Sequence, residues 1–143
     1  MAMRQSTLEQ RRLAYVESRI TEQQHWYAKK AVYNKTAASG FFIALIVTNA
    51  IAVGYAIAKV SIPSAEYWPT DALVALAASI LSWMQAKRFS ELAASYALAA
   101  HEISLIKEQS DSVKTDDDFS KFIGDAENAF SREHTQWVAR KDT

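Results

Sequence analysis

The stretch from Ala37 to Ala58, AASGFFIALIVTNAIAVGYAIA, carries no charged residue. As a helix its length of about 22 residues reaches roughly 33 Å, against a bilayer hydrocarbon core of about 30 Å. A chain holding such a segment must give it to lipid or wrap it in protein. Its length selects lipid, and a transmembrane helix over 37–58 is expected. The alternative is a soluble four-helix bundle with two very apolar helices.

A second uncharged run, Ala72 to Ala86, lies between Asp71 and the pair Lys87-Arg88. Its length of about 15 residues covers only about 22 Å, so Trp68 to Asp71 must complete the span at the interface. Lys29, Lys30 and Lys35 precede the first run and Lys87-Arg88 follow the second, while the outer loop 59–71 sets Lys59 against Glu66 and Asp71. The positive-inside rule then places both termini in the cytoplasm. Tyr67 and Trp68 suit the outer aromatic belt and Tyr33 the inner one; Pro63 and Pro69 punctuate the turn.

Three glycines and two prolines in 143 residues, with no period-two alternation, predict an all-α membrane protein of a single domain. Sixteen basic residues balance sixteen acidic ones, so no nucleic-acid partner is expected. The absence of cysteine excludes disulfides, thiol nucleophiles and Cys-based zinc sites. The first apolar run follows a charged segment of about 36 residues, too late for a secretory signal peptide.

A capping-box pattern at Ser6-Thr-Leu-Glu9 starts a cytoplasmic helix over 6–36, with Leu13, Val16, Ile20, Tyr27 and Ala31 as its apolar stripe. In the first span Gly40, Ala44, Thr48, Ala52 and Ala56 form a small-residue stripe. The second span, 72–86, answers with Ala75, Ser79, Ser82 and Ala86. Hydrogen bonds from Thr48, Asn49, Ser79 and Ser82 are expected to hold the hairpin together or to line a pore. Past Arg88, a cytoplasmic helix over 87–112 is expected to continue the second span. Its Phe89, Leu92, Tyr96, Ala99, Ile103 and Ile106 have the three-four spacing of a heptad seam, read as an assembly surface. Thr115 before Asp116, Asp117 and Asp118 predicts a cap and a returning cytoplasmic helix over 115–141. That helix should bury Phe119, Phe122, Ile123, Ala126, Phe130 and Trp137, and its end, with Arg140 and Lys141, should approach the inner headgroups.

Signs of chemistry are sparse. His101-Glu102 begins an HExxH pattern, but Leu105 stands where the second histidine belongs. Glu22-Gln-Gln-His25 has the Glu-x-x-His spacing of di-iron bundles without the second copy such a site needs. No phosphate loop or nucleophile elbow occurs, so neither an enzyme, a cofactor nor a metal site is expected. The polar cluster Glu127, Arg132, Glu133 and His134 is expected to pair within its helix, Asn128 with Arg132 for instance, and to bond to the preceding helix.

The segments ASYALAAHEISLI (Ala94 to Ile106) and AENAFSREHTQWVAR (Ala126 to Arg140), behind a two-span hairpin, resemble the SLATT family of bacterial two-transmembrane effector domains. The resemblance covers the chain from about Ile20 onward. It implies a fold in which the transmembrane hairpin is continuous with a cytoplasmic helical bundle, and makes Glu127, Ser131, Arg132, Glu133, His134 and Trp137 the family's tail residues. It also implies a bacterial inner-membrane, antiphage effector that forms pores or disrupts the bilayer. Such an effector would act as a homo-oligomer, triggered by a sensor or a nucleotide-second-messenger synthase. A non-conducting membrane-anchored scaffold or signalling adaptor is the other reading of the same features.

Overall fold

A computed structural model of the chain describes residues 7–62 and 69–141, with side chains at 7–62 and 69–131. All its regular elements are helical. Helix α1 (Leu8–Tyr15) starts at a capping box: the Gln10 N–H donates to the Thr7 hydroxyl, and the Thr7 N–H donates to the Gln10 side chain. The cap is thus Thr7 with Gln10 rather than Ser6 with Glu9; Ser6 lies outside the described residues. The helix passes through a π-helical turn, Val16–Thr21, into α2 (Glu22–Ser61), a single helical run of 54 residues from Leu8 to Ser61.

The π turn corrects the expected stripe. In an unbroken α-helix Leu13 and Ile20 share a face, but a π turn inserts about one residue and rotates what precedes it by about 100°. Leu13 is accordingly exposed, whereas Leu8, Tyr15, Val16, Ile20 and Tyr27 face the core.

Backbone contacts divide the chain into two compact units, Met1–Lys29 with Tyr96–Thr143, and Lys30–Ser95. In the first, Ile20 packs with Ile103 of α4 (Phe89–Gln109) and with Phe119 and Phe122 of α5 (Asp116–Lys141). Ile20 is fully buried, a side-chain burial of roughly 1.5–3 kcal/mol. Helix α4 closes in a 3-10 turn, Ser110–Ser112. Helix α5 opens at Thr115, whose hydroxyl accepts the Asp118 N–H while the Asp118 carboxylate accepts the Thr115 N–H. The Thr115 hydroxyl holds the Asp118 carboxyl below its ordinary range, and Asp116, Asp117 and Asp118 all meet the positive end of the helix dipole.

The second unit has a different character. Among the described residues one helix, the run Leu8–Ser61, is long and apolar enough to cross a membrane. Helix α3 (Thr70–Lys87) has 18 residues, with Asp71 and Lys87 inside its ends, and does not reach that length of apolar surface. Tyr67, Trp68 and Pro63, expected to complete and punctuate the turn, lie outside the described residues.

Two expectations for this unit are corrected. The expected continuation of α3 into the next helix is broken at Arg88, which adopts a left-handed conformation (φ 50°, ψ 39°) and donates its N–H to the Met84 carbonyl. A side chain at positive φ ends an α-helix because continuing it would require right-handed angles. The small-residue stripe of α3 is also misplaced. Ala75, Ser79, Ser82 and Ala86 are exposed, while the covered positions are Leu73, Ala77, Ile80 and Met84. On α2, Ala44, Thr48 and Ala52 are covered and Gly40 and Ala56 exposed.

Candidate functional site

Two features stand out, one in each unit. In the bundle, Arg11, Tyr15 and Arg19 are spaced by four and engage α5 in order. The Arg11 guanidinium pairs with Asp116 and lies 5.7 Å from the Phe119 ring centre. The Tyr15 hydroxyl donates to Glu127 Oε1 at 2.8 Å, and its ring meets Phe119 and Phe122 edge-on. Arg19 donates to both Glu127 oxygens, at 3.1 and 3.2 Å, and lies 6.0 Å from the Phe130 ring centre. Both partner series ascend, so α5 runs parallel to α1. Arg12 adds bonds to the Ser110 carbonyl at 2.7 Å and to Asp111 at 3.1 Å, fastening the 3-10 turn.

Glu127 is the centre of this clasp. The bond from Arg19, with a further one from Tyr15, holds its carboxyl below the ordinary range, although partial burial works the other way. Burial, reinforced by the bond to Glu127, pushes the Tyr15 phenol well above its usual value. Glu127 was expected to bond within its own helix or to the preceding one; its partners are instead on the first helix, more than a hundred residues away in sequence. The two-toothed bond from one guanidinium and the phenol donor fix both Glu127 oxygens. Ser131 is exposed; the side chains of Arg132, Glu133, His134 and Trp137, and of Arg140 and Lys141, lie outside the described residues.

The seam residues of α4 are divided between the units. Phe89 and Leu92 are half-buried in the second; Tyr96, Ala99, Ile103 and Ile106 belong to the first. Ala99 and Ile103 are buried and Ile106 packs on the core, so this part of the expected assembly surface is consumed inside the chain. Tyr96 meets Trp26 and Tyr27, with ring centres 6.0 and 6.1 Å away. His25, His101 and Glu102 are exposed. A groove of about 710 Å³ between the first helix and α4 is lined by Arg12, Glu17, Lys107, Glu108 and Asp111 among others. Its mixed charges give no single sign to steer a ligand.

In the second unit the feature is an apolar surface turned outward. Phe42, Ile43, Ile46, Val47, Ile51, Val53 and Ile57 of α2, and Val74, Leu76 and Leu81 of α3, are all exposed. Only 11% of the most apolar 18-residue stretch of the long helix is buried. Hydrogen-bonding groups of the two apolar helices are turned back on their own helices. Thr48 donates to the Ala44 carbonyl, Asn49 to Leu45 and Ser79 to Ala75, each at 2.8 Å, and Asn49, Ser79 and Ser82 are exposed. For Thr48, Asn49 and Ser79 the expected helix-to-helix bonds are thus replaced by bonds to the carbonyl four residues back.

The chain thus combines one uncharged helical run whose large side chains face outward with a clasped helical bundle. The family model described as SMODS and SLOG-associating 2TM effector domain 1 matches residues 15–137. The chain belongs to that family. The SLATT match takes in Tyr15, Arg19 and Glu127, both apolar helices and nearly all of α5. No curated protein and no solved structure matches the chain.

The π turn and the Tyr15–Glu127–Arg19 clasp were not foreseen. The available signal was the four-residue spacing of Arg11, Tyr15 and Arg19, which sets two cations and a phenol on one helical face.

Proposed function

We propose that this SLATT protein is a membrane-inserted effector of a bacterial conflict system. In this reading α2 and α3 span the inner membrane as a hairpin, with both termini cytoplasmic. The observation that carries the proposal is the sparse burial of the long apolar stretch, 11%. A soluble protein hides such a helix; lipid is the solvent that tolerates it bare. A second observation supports the antiparallel arrangement. The Phe41 and Phe89 rings stack at 5.5 Å, bringing the exit of α3 beside the entry of the uncharged run.

Two helices cannot enclose a wet lumen, so permeation requires several protomers assembled around it. The exposed faces of the spans supply the contacts, since much of the α4 seam is already occupied. A partner of the second-messenger-synthase or sensor class, as the family description implies, shifts the bundle between two packings, and depolarisation follows. Induced expression with the cognate partner, read with a membrane-potential dye, tests this: potential should collapse only when both are present. Recovery of the detergent-free chain in the ultracentrifuge supernatant would sink the membrane reading altogether.

The scaffold reading has its own observation. Thr48, Asn49 and Ser79 each donate a hydrogen bond to their own helix, a local role that needs no pore. Ion flux from liposomes compared between wild type and Asn49→Leu separates the two. Flux that depends on Asn49 supports the pore, and no flux from triggered protein supports the scaffold.

A further inference from the structure

We infer that the π turn Val16–Thr21 is a winding switch, about which the first helix turns between the observed winding, locked by the clasp, and a regular α-winding that places Leu13 in the core. This rests on the reading above that the bundle has two packings, and names the element that changes. The sequence offers the bundle two apolar rows. Wound regularly at about 100° per residue, Leu13 lies about 20° from Ile20, whereas Leu8 and Tyr15 lie about 120° and about 140° away. With the π turn in place the assignment reverses: Leu8 and Tyr15 pack on the core around Ile20, and Leu13 is 55% exposed. Ile20 and Tyr27 belong to both rows, so a change of winding exchanges Leu8 and Tyr15 for Leu13 and leaves the rest in place.

Within the turn itself the observed winding is the poorer one. The Thr21 hydroxyl oxygen is buried without a hydrogen-bond partner among the described residues. Regular winding would offer it the Glu17 carbonyl, four residues back, as Thr48 uses that of Ala44. π turns are rare inside α-helices and recur at functional sites. The clasp supplies the counterweight, through Arg11 with Asp116 and Tyr15 with Glu127. A rotation of about 100° carries Arg11 and Tyr15 off α5, so the clasp and regular winding exclude one another. The Asp116 side chain is 75% exposed and that of Glu127 41%, which leaves each pair weak enough for a partner to open. Leu13 stands at the wall of the groove of about 710 Å³ between the first helix and α4, which gives it room to enter.

The chain has no cysteine, so single cysteines introduced into the whole chain in detergent report its winding. A maleimide should modify Leu13→Cys quickly and Leu8→Cys slowly while the clasp is intact. Opening the clasp with Asp116→Asn and Glu127→Gln together should slow modification at Leu13→Cys about fivefold and speed it at Leu8→Cys about fivefold. The reciprocity is the signature. Faster modification at both sites is local unfolding, and unchanged rates are a single fixed winding; either result overturns the proposal. Leu13→Glu alters an exposed position in the observed winding but puts a charge into the core in the regular one. Added to the open clasp, it should restore the slow rate at Leu8→Cys, which a merely weakened bundle would not do; continued fast modification overturns the switch. The membrane-potential assay keeps the two readings apart. Reciprocal rates without partner-dependent depolarisation defeat only the effector reading, whereas depolarisation with fixed rates defeats only the switch.

Discussion

The two units of this chain solve opposite problems with similar residues. In the bundle, Ile20, Ile103, Phe119 and Phe122 turn inward and the arginines of the first helix close over them. In the unit Lys30–Ser95, Ile43, Ile46, Ile51 and Val53 turn outward, while Thr48 and Ala52 are covered. Isoleucine is therefore not a marker of the interior in this chain; under the proposed membrane reading, its outward face in the second unit meets hydrocarbon instead of water. The lesson is that the burial pattern, more than composition, tells the two units apart.

The sharpest way to break the comparison is a matched pair of truncations. Phe122→Ala, in the bundle core, should cost about 3–5 kcal/mol in chemical denaturation, whereas Ile46→Ala, on the outward face, should change the stability of detergent-solubilised protein by well under 1 kcal/mol. Equal losses would mean that both units pack the same way. Next in size, Ile51→Lys should disfavour insertion by roughly 3 kcal/mol, read as a larger carbonate-extractable fraction, with no loss of bundle helicity by circular dichroism. Thr115→Ala should remove the α5 cap at a cost of about 1 kcal/mol, confined to the bundle.

The clasp sharpens the comparison through pH. The folded state lowers the Glu127 pKa, so its contribution is present above the unfolded carboxyl range and is lost as pH falls through the folded value. Tyr15 has the reverse sign: its raised pKa contributes below the ordinary phenol value near 10 and costs stability as alkali ionises the unfolded chain. Glu127→Gln should flatten the acid limb of a bundle-specific unfolding curve, with a neutral-pH loss of only about 1 kcal/mol because the pair is partly exposed. The smallest effect is expected at Arg88→Gly, which should relieve left-handed strain by a few tenths to about 1 kcal/mol.

Much of the helical layout is legible without coordinates. The cap at Thr115, the end of α4 near Ser110 and the apolar face Phe119, Phe122, Ala126 follow from local chemistry, which is why spacing reveals them. Arg88 is different: nothing in Ala86-Lys87-Arg88-Phe89 marks a left-handed residue, since glycine or asparagine is the usual signal. The facing stripe of α3 was missed because Ala75, Ser79, Ser82 and Ala86 are an equally plausible small-residue row, and only contacts decide between faces. Of the clasp, Glu127 was visible as part of the tail, but its partners were not. The four-residue spacing of Arg11, Tyr15 and Arg19 marks a face of the first helix but not the distant helix it meets.

The π-helical turn at Val16–Thr21 has a consequence for how this domain tolerates insertions and deletions. One surplus residue per turn acts as a phase register. It lets Tyr15 and Arg19 grip α5 while Ile20 enters the core, an alignment a regular helix would throw off by about a quarter of a circle. Removing Ser18 alone would restore regular winding yet turn Arg11 and Tyr15 away from Asp116 and Glu127. The domain should accept many substitutions in this turn more readily than the loss of a single residue from it.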